Sequence, residues 1–434
     1  MILIYTPKIT NRITYIFKLI FTELLNINVK FTNNLVDFNS YDGLKLNYSD
    51  TFIQGELFSK SAGLLTESFI NDQSHSFIDF EDEKVFYPIH NKNAALPFDP
   101  FSASFYLVTR YEEYLPYLKD KYERFIPSQS IAFKNYFLKK PIINIWANKI
   151  ADIIQEKYPS FTYQKPTYIF QPTYDIDSAY AYKLKGFIRS IGGYLKSIRN
   201  VDIKEMLERT KVLSGFGKDH FDTFDLQFDL QKKYDLHPIY FILFADYGDF
   251  DKNIPVNNLK FQSLIKNLAD YANVGIHPSH ASNKDISILK KEIDGLSNVL
   301  RKQITLSRQH FLKLNMPQTY RNLISLDITD DYSMGYASEI GFRASICSTY
   351  NFYDLELDVE TNLRIHPFCF MEGTLRDYYN VNASKALDFI KPLIDEVKKV
   401  NVTFISLWHN ESLSNQKRWV GWQEVYEEMI KYAL

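Results

Sequence analysis

Apolar positions follow two regimes along the chain. In the first 160 residues, short apolar runs sit between long polar stretches. Ile2–Tyr5 predicts a buried strand, and Ile13, Ile16, Phe17, Ile20 and Leu24 recur at helical spacing over Arg12–Leu25. Val29–Thr32 and Leu44–Tyr48 predict further strands. Pro97 and Pro100 open a predicted helix through Tyr114, since proline fits a first helical turn. Ile143, Trp146, Ile150 and Ile154 mark another helix over Pro141–Tyr158. Pro159-Ser160 and Lys165-Pro166 then punctuate the chain, which predicts two domains, 1–160 and 166–434.

Beyond that boundary, apolar runs of strand length recur, mostly separated by helical segments. They are Tyr168–Tyr174, Pro238–Phe244, Val274–His277, Thr305–Phe311, Gly341–Ile346, Leu363–Phe370 and Val402–Leu407. Ile286–Leu300, Ser384–Val397 and Trp422–Ala433 read as connecting helices, with Ser384 as an N-cap, and Pro317 favours a helix over Pro317–Leu326. About seven strands alternating with helices predict parallel βα units. In a closed barrel of this kind, functional groups gather at the carboxyl ends of the strands. The ionisable residues at those ends are Asp175, Asp177, Asp246, His277, His280, Arg308, His310, Arg343, Glu372 and His409.

Composition narrows the class. With 50 basic and 52 acidic side chains the net charge is −2, so the chain lacks the cationic excess that binding nucleic acid requires. A hydrophobic share of 45% excludes a disordered chain. The two cysteines, Cys347 and Cys369, make no disulfide framework and no zinc-finger spacing. No charged-then-apolar secretion signal opens the chain, and no uncharged apolar run reaches the ~20 residues of a membrane span. The expectation is a cytoplasmic protein without a membrane span; its oligomeric state is not encoded in any of these features.

Asp175 and Asp177 bracket Ile176 at the end of the first predicted barrel strand, so period-two alternation sends both carboxylates to one side. Two acids that share a site repel unless a cation separates their roles: one can bind a divalent ion while the other accepts a proton from water. The alternative is that they cap the next helix. His277 and His280 are three apart in a turn, within reach of one ion, and two histidines plus one carboxylate suit zinc, iron or cobalt. Arg308 can pin a carboxylate through charged hydrogen bonds, and His409 can act as a general acid. Glu372 can meet a sugar hydroxyl or cap a helix. Asp327–Asp331 reads as a solvated acidic loop, and Arg110–Tyr114 as a charged and aromatic helix surface. There is no phosphate-binding glycine loop and no nucleophile elbow.

The ordered segments Thr173-Tyr-Asp-Ile-Asp177, His277-Pro-Ser-His280, Arg308-Gln-His310, Gly341-Phe-Arg343 and Leu407-Trp-His409 resemble the polysaccharide deacetylase family, the NodB-homology domain of carbohydrate esterase family 4. The whole chain is similar to proteins of Bacteroidetes-type bacteria that join an uncharacterised N-terminal domain to such a deacetylase. The resemblance implies an α/β fold with a distorted (β/α) barrel of about seven strands in the C-terminal half and a smaller N-terminal α/β domain. It also implies a hydrolase that uses a divalent metal, zinc, to remove acetyl groups from an acetylated carbohydrate. Under it Asp175 is the base, Asp177, His277 and His280 are metal ligands, Arg308 orients Asp175, and His409 is the acid. The histidine spacing is three where the family has four, and His310 stands where the family has proline, so His280 and His310 both remain open as the third donor. Two alternatives stand beside this reading. One is a non-catalytic carbohydrate-binding or scaffold protein with a degenerate metal site; the other is a glycosidase pairing Asp175 with Glu372.

Overall fold

A computed structural model describes residues 1–434. The N-terminal strands β1 (Ile2–Tyr5), β2 (Val29–Thr32), β3 (Leu44–Ser49) and β4 (Leu57–Lys60) form a parallel sheet in the order β2-β1-β3-β4. A small antiparallel ribbon, β5 (Phe77–Phe80) with β6 (Glu83–Phe86), lies apart from that sheet. The predicted first helix begins at Asn11, capped by the Thr10 side chain, and passes from α to π geometry over Lys18–Leu24. The helix expected to reach Tyr114 spans only Pro100–Val108, capped by Asp99.

The C-terminal half is an eight-stranded curled sheet. Its strands are β7 (Ile169–Ile176), β8 (Ile239–Ile242), β9 (Asn273–Ile276), β10 (Leu306–Ser307), β11 (Asp330–Asp331), β12 (Tyr350–Asp354), β13 (Val359–Ile365) and β14 (Thr403–His409). The order is β12-β13-β11-β10-β9-β8-β7-β14, with every pair parallel except β12 with β13. Only a single parallel bridge, Met371 to Leu407, draws the segment after β13 toward β14, so the barrel stays open along that seam.

Alternation along the strands builds two cores. Tyr174, Ile176, Tyr240, Ile242, Phe404 and Trp408 face outward into one continuous core with the surrounding helices. Ile239, Phe241, Ile405, Leu407, Tyr332 and Phe368 fill the small interior of the curl. Gly341–Ile346 is not a strand. It is buried because it packs on the N-terminal half: Phe342 N–H donates to Leu138 O at 2.7 Å, and Ile143 N–H donates to Ser345 O at 3.1 Å. Gly341 there has φ +128°, and a Cβ would lie 2.4 Å from the Leu138 carbonyl oxygen, so no other residue fits without moving backbone. Asp330 and Asp331, expected in a solvated loop, form buried β11. Asp331 accepts from Ser307 Oγ (2.7 Å) and Ser333 Oγ (2.8 Å), which is how a carboxylate is tolerated in a core. The cap of the helix Ala383–Lys399 is Asn382, two residues earlier than the Ser384 expected.

The two halves share that outer core, and a charged lock joins them. Arg110–Tyr114, expected as surface, is largely inside. Arg110 Nε and Arg343 Nη2 both donate to Glu113, at 2.8 and 2.6 Å, and Arg110 Nη2 reaches Tyr336 Oη at 3.0 Å. All three charged residues are at most 2% exposed. No helix is long and apolar enough to cross a membrane.

Candidate functional site

The carboxyl ends of β7, β9, β10 and β14 open into a pocket of about 250 Å³ lined by Asp175, Asp177, His277, His310 and His409, among others. Sheet register explains the convergence. Asp175 pairs with His409 across β7 and β14, and with Phe241 across β7 and β8. Ile176 between the two aspartates is buried in the outer core, so Asp175 and Asp177 both turn to the pocket side.

Asp177, His277 and His310 each offer a ligand atom, all within 4.8 Å of one another. His277 Nε2 lies 3.2 Å from Asp177 Oδ1, and His310 Nε2 lies 3.5 Å from Asp177 Oδ2. Both rings are aimed by their other nitrogen: His277 Nδ1 meets the Arg308 carbonyl oxygen, and His310 Nδ1 meets Asp251 Oδ1 at 2.8 Å. A second partner of this kind fixes which nitrogen is left to bind a metal. Asp177 Oδ1 has no hydrogen-bond partner although it is enclosed. The electrostatics also ask for positive charge there. Burial opposes charge on His310, but the facing Asp177 carboxylate, joined by Asp251, lifts its pKa to about 9. Burial likewise raises Asp177, and the charge of His310 outweighs it, holding the carboxyl well below its usual range. A divalent cation would replace that proton, so the donor set fits one. Removing the outer partner, Asp251→Ala, is expected to weaken divalent-metal binding by ~10–100-fold, measurable by competition with a chelating dye.

His280 does not join this group. Its ring packs against Phe250, with centroids 4.4 Å apart, and its backbone N–H donates to Asp251 Oδ1 at 2.9 Å. The three-residue spacing to His277 spans a turn that carries the second ring away, and His310 from the neighbouring strand end stands beside Asp177 instead.

Asp175 sits deeper, 2% exposed, and accepts from Arg308 Nη1 at 2.9 Å. Arg308 is itself buried, donates to Thr173 Oγ1 (2.7 Å) and Tyr332 O (2.9 Å), and lies over the Phe241 ring at 4.5 Å. The aromatic wall and three acceptors make a buried guanidinium tolerable. On the other side, His409 Nδ1 meets Glu372 Oε1 at 2.8 Å, and the same oxygen accepts the His409 backbone N–H at 2.8 Å. Burial opposes a charged His409, but Glu372 dominates and raises its pKa well above the ordinary imidazole value. Glu372 is fully buried and its Oε1 is taken up by His409, so it does not reach into the pocket toward a sugar. Glu372 is absent from the pocket lining, so it is not the partner carboxylate that a glycosidase would pair with Asp175.

Asp246 pairs with Lys291 at 2.6 Å on the exposed surface. Arg343 belongs to the charged lock between the two halves. Two residues that support the site carry no motif in the sequence. Asp251 reaches His310 across 59 residues from a loop, and Arg124 of the N-terminal half donates to Phe311 O (3.0 Å) and Tyr378 Oη (3.1 Å) to form part of the pocket wall.

Residues 2–159 match the model of DUF7033, a family of unknown function. No curated protein matches the chain. Among solved structures, a candidate polysaccharide deacetylase from Mycobacterium smegmatis is 11% identical, with 62% of this chain and 84% of that chain covered and a TM-score of 0.41. A polysaccharide deacetylase from Bacillus cereus is 11% identical over 61% of this chain and 87% of its own, with a TM-score of 0.29. A further candidate polysaccharide deacetylase, from Pseudomonas aeruginosa PAO1, is 9% identical over 62% and 84%, with a TM-score of 0.38. These are distant likenesses, and the chemistry of the pocket rests on this chain's own side chains.

Proposed function

We propose that the pocket is the active centre of a metal-dependent hydrolase that removes acetyl groups from an acetylated sugar or polysaccharide precursor by cleaving an amide. The observation that carries this reading is the meeting of a two-histidine, one-carboxylate cluster with a separate carboxylate, Asp175, and a separate imidazole, His409. Asp177, His277 and His310 would hold a divalent ion, and zinc suits three such ligands with a position left open. When bound, such an ion polarises an acyl carbonyl and lowers the pKa of water. Asp175, pinned by Arg308 as an acceptor, takes the proton from the attacking water. His409, kept charged by Glu372, gives its proton to the departing sugar nitrogen. Arg124, Tyr378 and Trp419 line the wall against which the sugar would lie.

The test is acetate release from a panel of N-acetylated sugars by zinc-loaded protein. Asp175→Asn is expected to retain bound zinc and lose ~10²–10⁴-fold in turnover, the range for a positioned general base. Unchanged turnover in that variant would remove Asp175 from the mechanism. Absence of both metal uptake and acetate release would favour a non-catalytic carbohydrate-binding protein.

A further inference from the structure

The chain between the tip of β7 and the helix Phe224–Tyr234 carries a hairpin of two helices, Phe187–Arg199 and Ile203–Leu213, whose amphipathicity is turned inside out. A surface helix normally lays its apolar stripe on the core. Here the polar sides face the protein. Arg189 donates to Asn253 O (2.6 Å) and Lys252 O (2.8 Å), Glu205 accepts from Lys417 Nζ (2.6 Å), and Tyr194 Oη meets Thr210 Oγ1 (2.9 Å) between the helices. At the root, Asp219 accepts the backbone N–H groups of Ala181 and Tyr182, both at 2.8 Å, which clamps the insertion to the body.

The apolar sides face outward. Phe187 is 79% exposed, Ile188 85% and Phe216 83%, with Leu195, Ile198 and Leu207 in the same stripes. Ten of the chain's 30 exposed large hydrophobic residues fall within residues 187–216, so this is one concentrated patch and not the usual scatter. The same segment holds six Lys and Arg against three Asp and Glu, a net +3 in a chain whose total is −2. A water-exposed apolar stripe flanked by excess cations is the composition of a helix that lies in the headgroup region of an anionic membrane.

We propose that this hairpin docks the protein on the surface of an anionic lipid bilayer. Its position gives the docking a consequence for the pocket. Lys417, which bonds Glu205 of the second helix and Tyr182 Oη, is followed by Arg418 and Trp419, which line the pocket. Docking therefore brings the pocket rim beside the membrane surface. The inference stands on the hairpin alone and does not depend on the hydrolase reading.

The experiment is sedimentation of the full chain with vesicles of phosphatidylcholine, alone or mixed with phosphatidylglycerol, at low and high salt. Wild type is expected to pellet with the mixed vesicles, less at high salt, and to bind pure phosphatidylcholine weakly. The quadruple variant F187E/I188E/L195E/I198E should lose at least about tenfold in vesicle affinity while keeping its near-ultraviolet dichroism, since all four side chains are exposed. K196E/R199E/K204E should lose the preference for phosphatidylglycerol. Wild type left in the supernatant, or either variant binding as wild type does, overturns the proposal. A dimer that the quadruple variant dissociates, with no vesicle binding by wild type, would assign the stripe to a second copy of the chain and also overturn it.

Discussion

His310→Ala is expected to strip the divalent ion from the protein, while His280→Ala leaves metal content unchanged. Elemental analysis of the purified variants checks this. The reason is geometric. His310 Nε2 lies 3.5 Å from Asp177 Oδ2, with its other nitrogen fixed by Asp251, whereas the His280 ring is packed against Phe250. Losing one of three donors should exceed the ~10–100-fold that loss of an outer partner costs, and acetate release should fall with the metal. The opposite pattern, metal lost from His280→Ala and kept by His310→Ala, would overturn the ligand set Asp177, His277 and His310.

Glu113→Ala carries the largest expected effect on stability. Glu113 takes hydrogen bonds from Arg110 and Arg343 in a site from which water is excluded, and alanine would leave two buried guanidinium groups without their shared carboxylate. Breaking a buried pair from one side costs ~3–5 kcal/mol; Arg110 keeps Glu112 at 2.8 Å, so the charge left uncompensated is that of Arg343. Urea unfolding should show this as a lower midpoint. By contrast Lys431→Ala, which removes an exposed pair with Glu428, should change stability by less than ~1 kcal/mol. Equal effects from the two substitutions would mean that the lock contributes no more than a surface pair.

What the sequence makes legible follows from the range of the interactions. Strands β7, β8, β9 and β14 are visible because parallel strands buried on both faces read as near-continuous apolar runs, and the helices Ile286–Leu300 and Trp422–Ala433 because their apolar stripes face the core. Two-residue strands such as β10 and β11 carry no periodicity to detect. Gly341–Ile346 mimics a strand because burial between the halves demands the same apolar residues as burial in a sheet. The hairpin Phe187–Leu213 escapes a core-based reading because its stripes do not point at the core. At the site, the alternation around Ile176 brings both aspartates into view, and His310 and His409 are visible as strand-end groups. His280 misleads because spacing in a turn does not fix ring direction. Asp251 and Glu113 are silent in the sequence, since their meaning comes from partners 59 and 230 residues away.

The interleaving of the two halves sets the smallest piece of this chain that can work. A fragment cut at Lys165 and kept from there onward would lack Arg124 from the rim of its own cavity, strand Arg343 without a counter-charge, and bare the apolar flank that Leu138 and Ile143 cover. Truncation should therefore yield aggregates in place of a folded half, because residues 2–159, which match the family of unknown function, cover the apolar flank and balance the Arg343 charge of the rest of the chain.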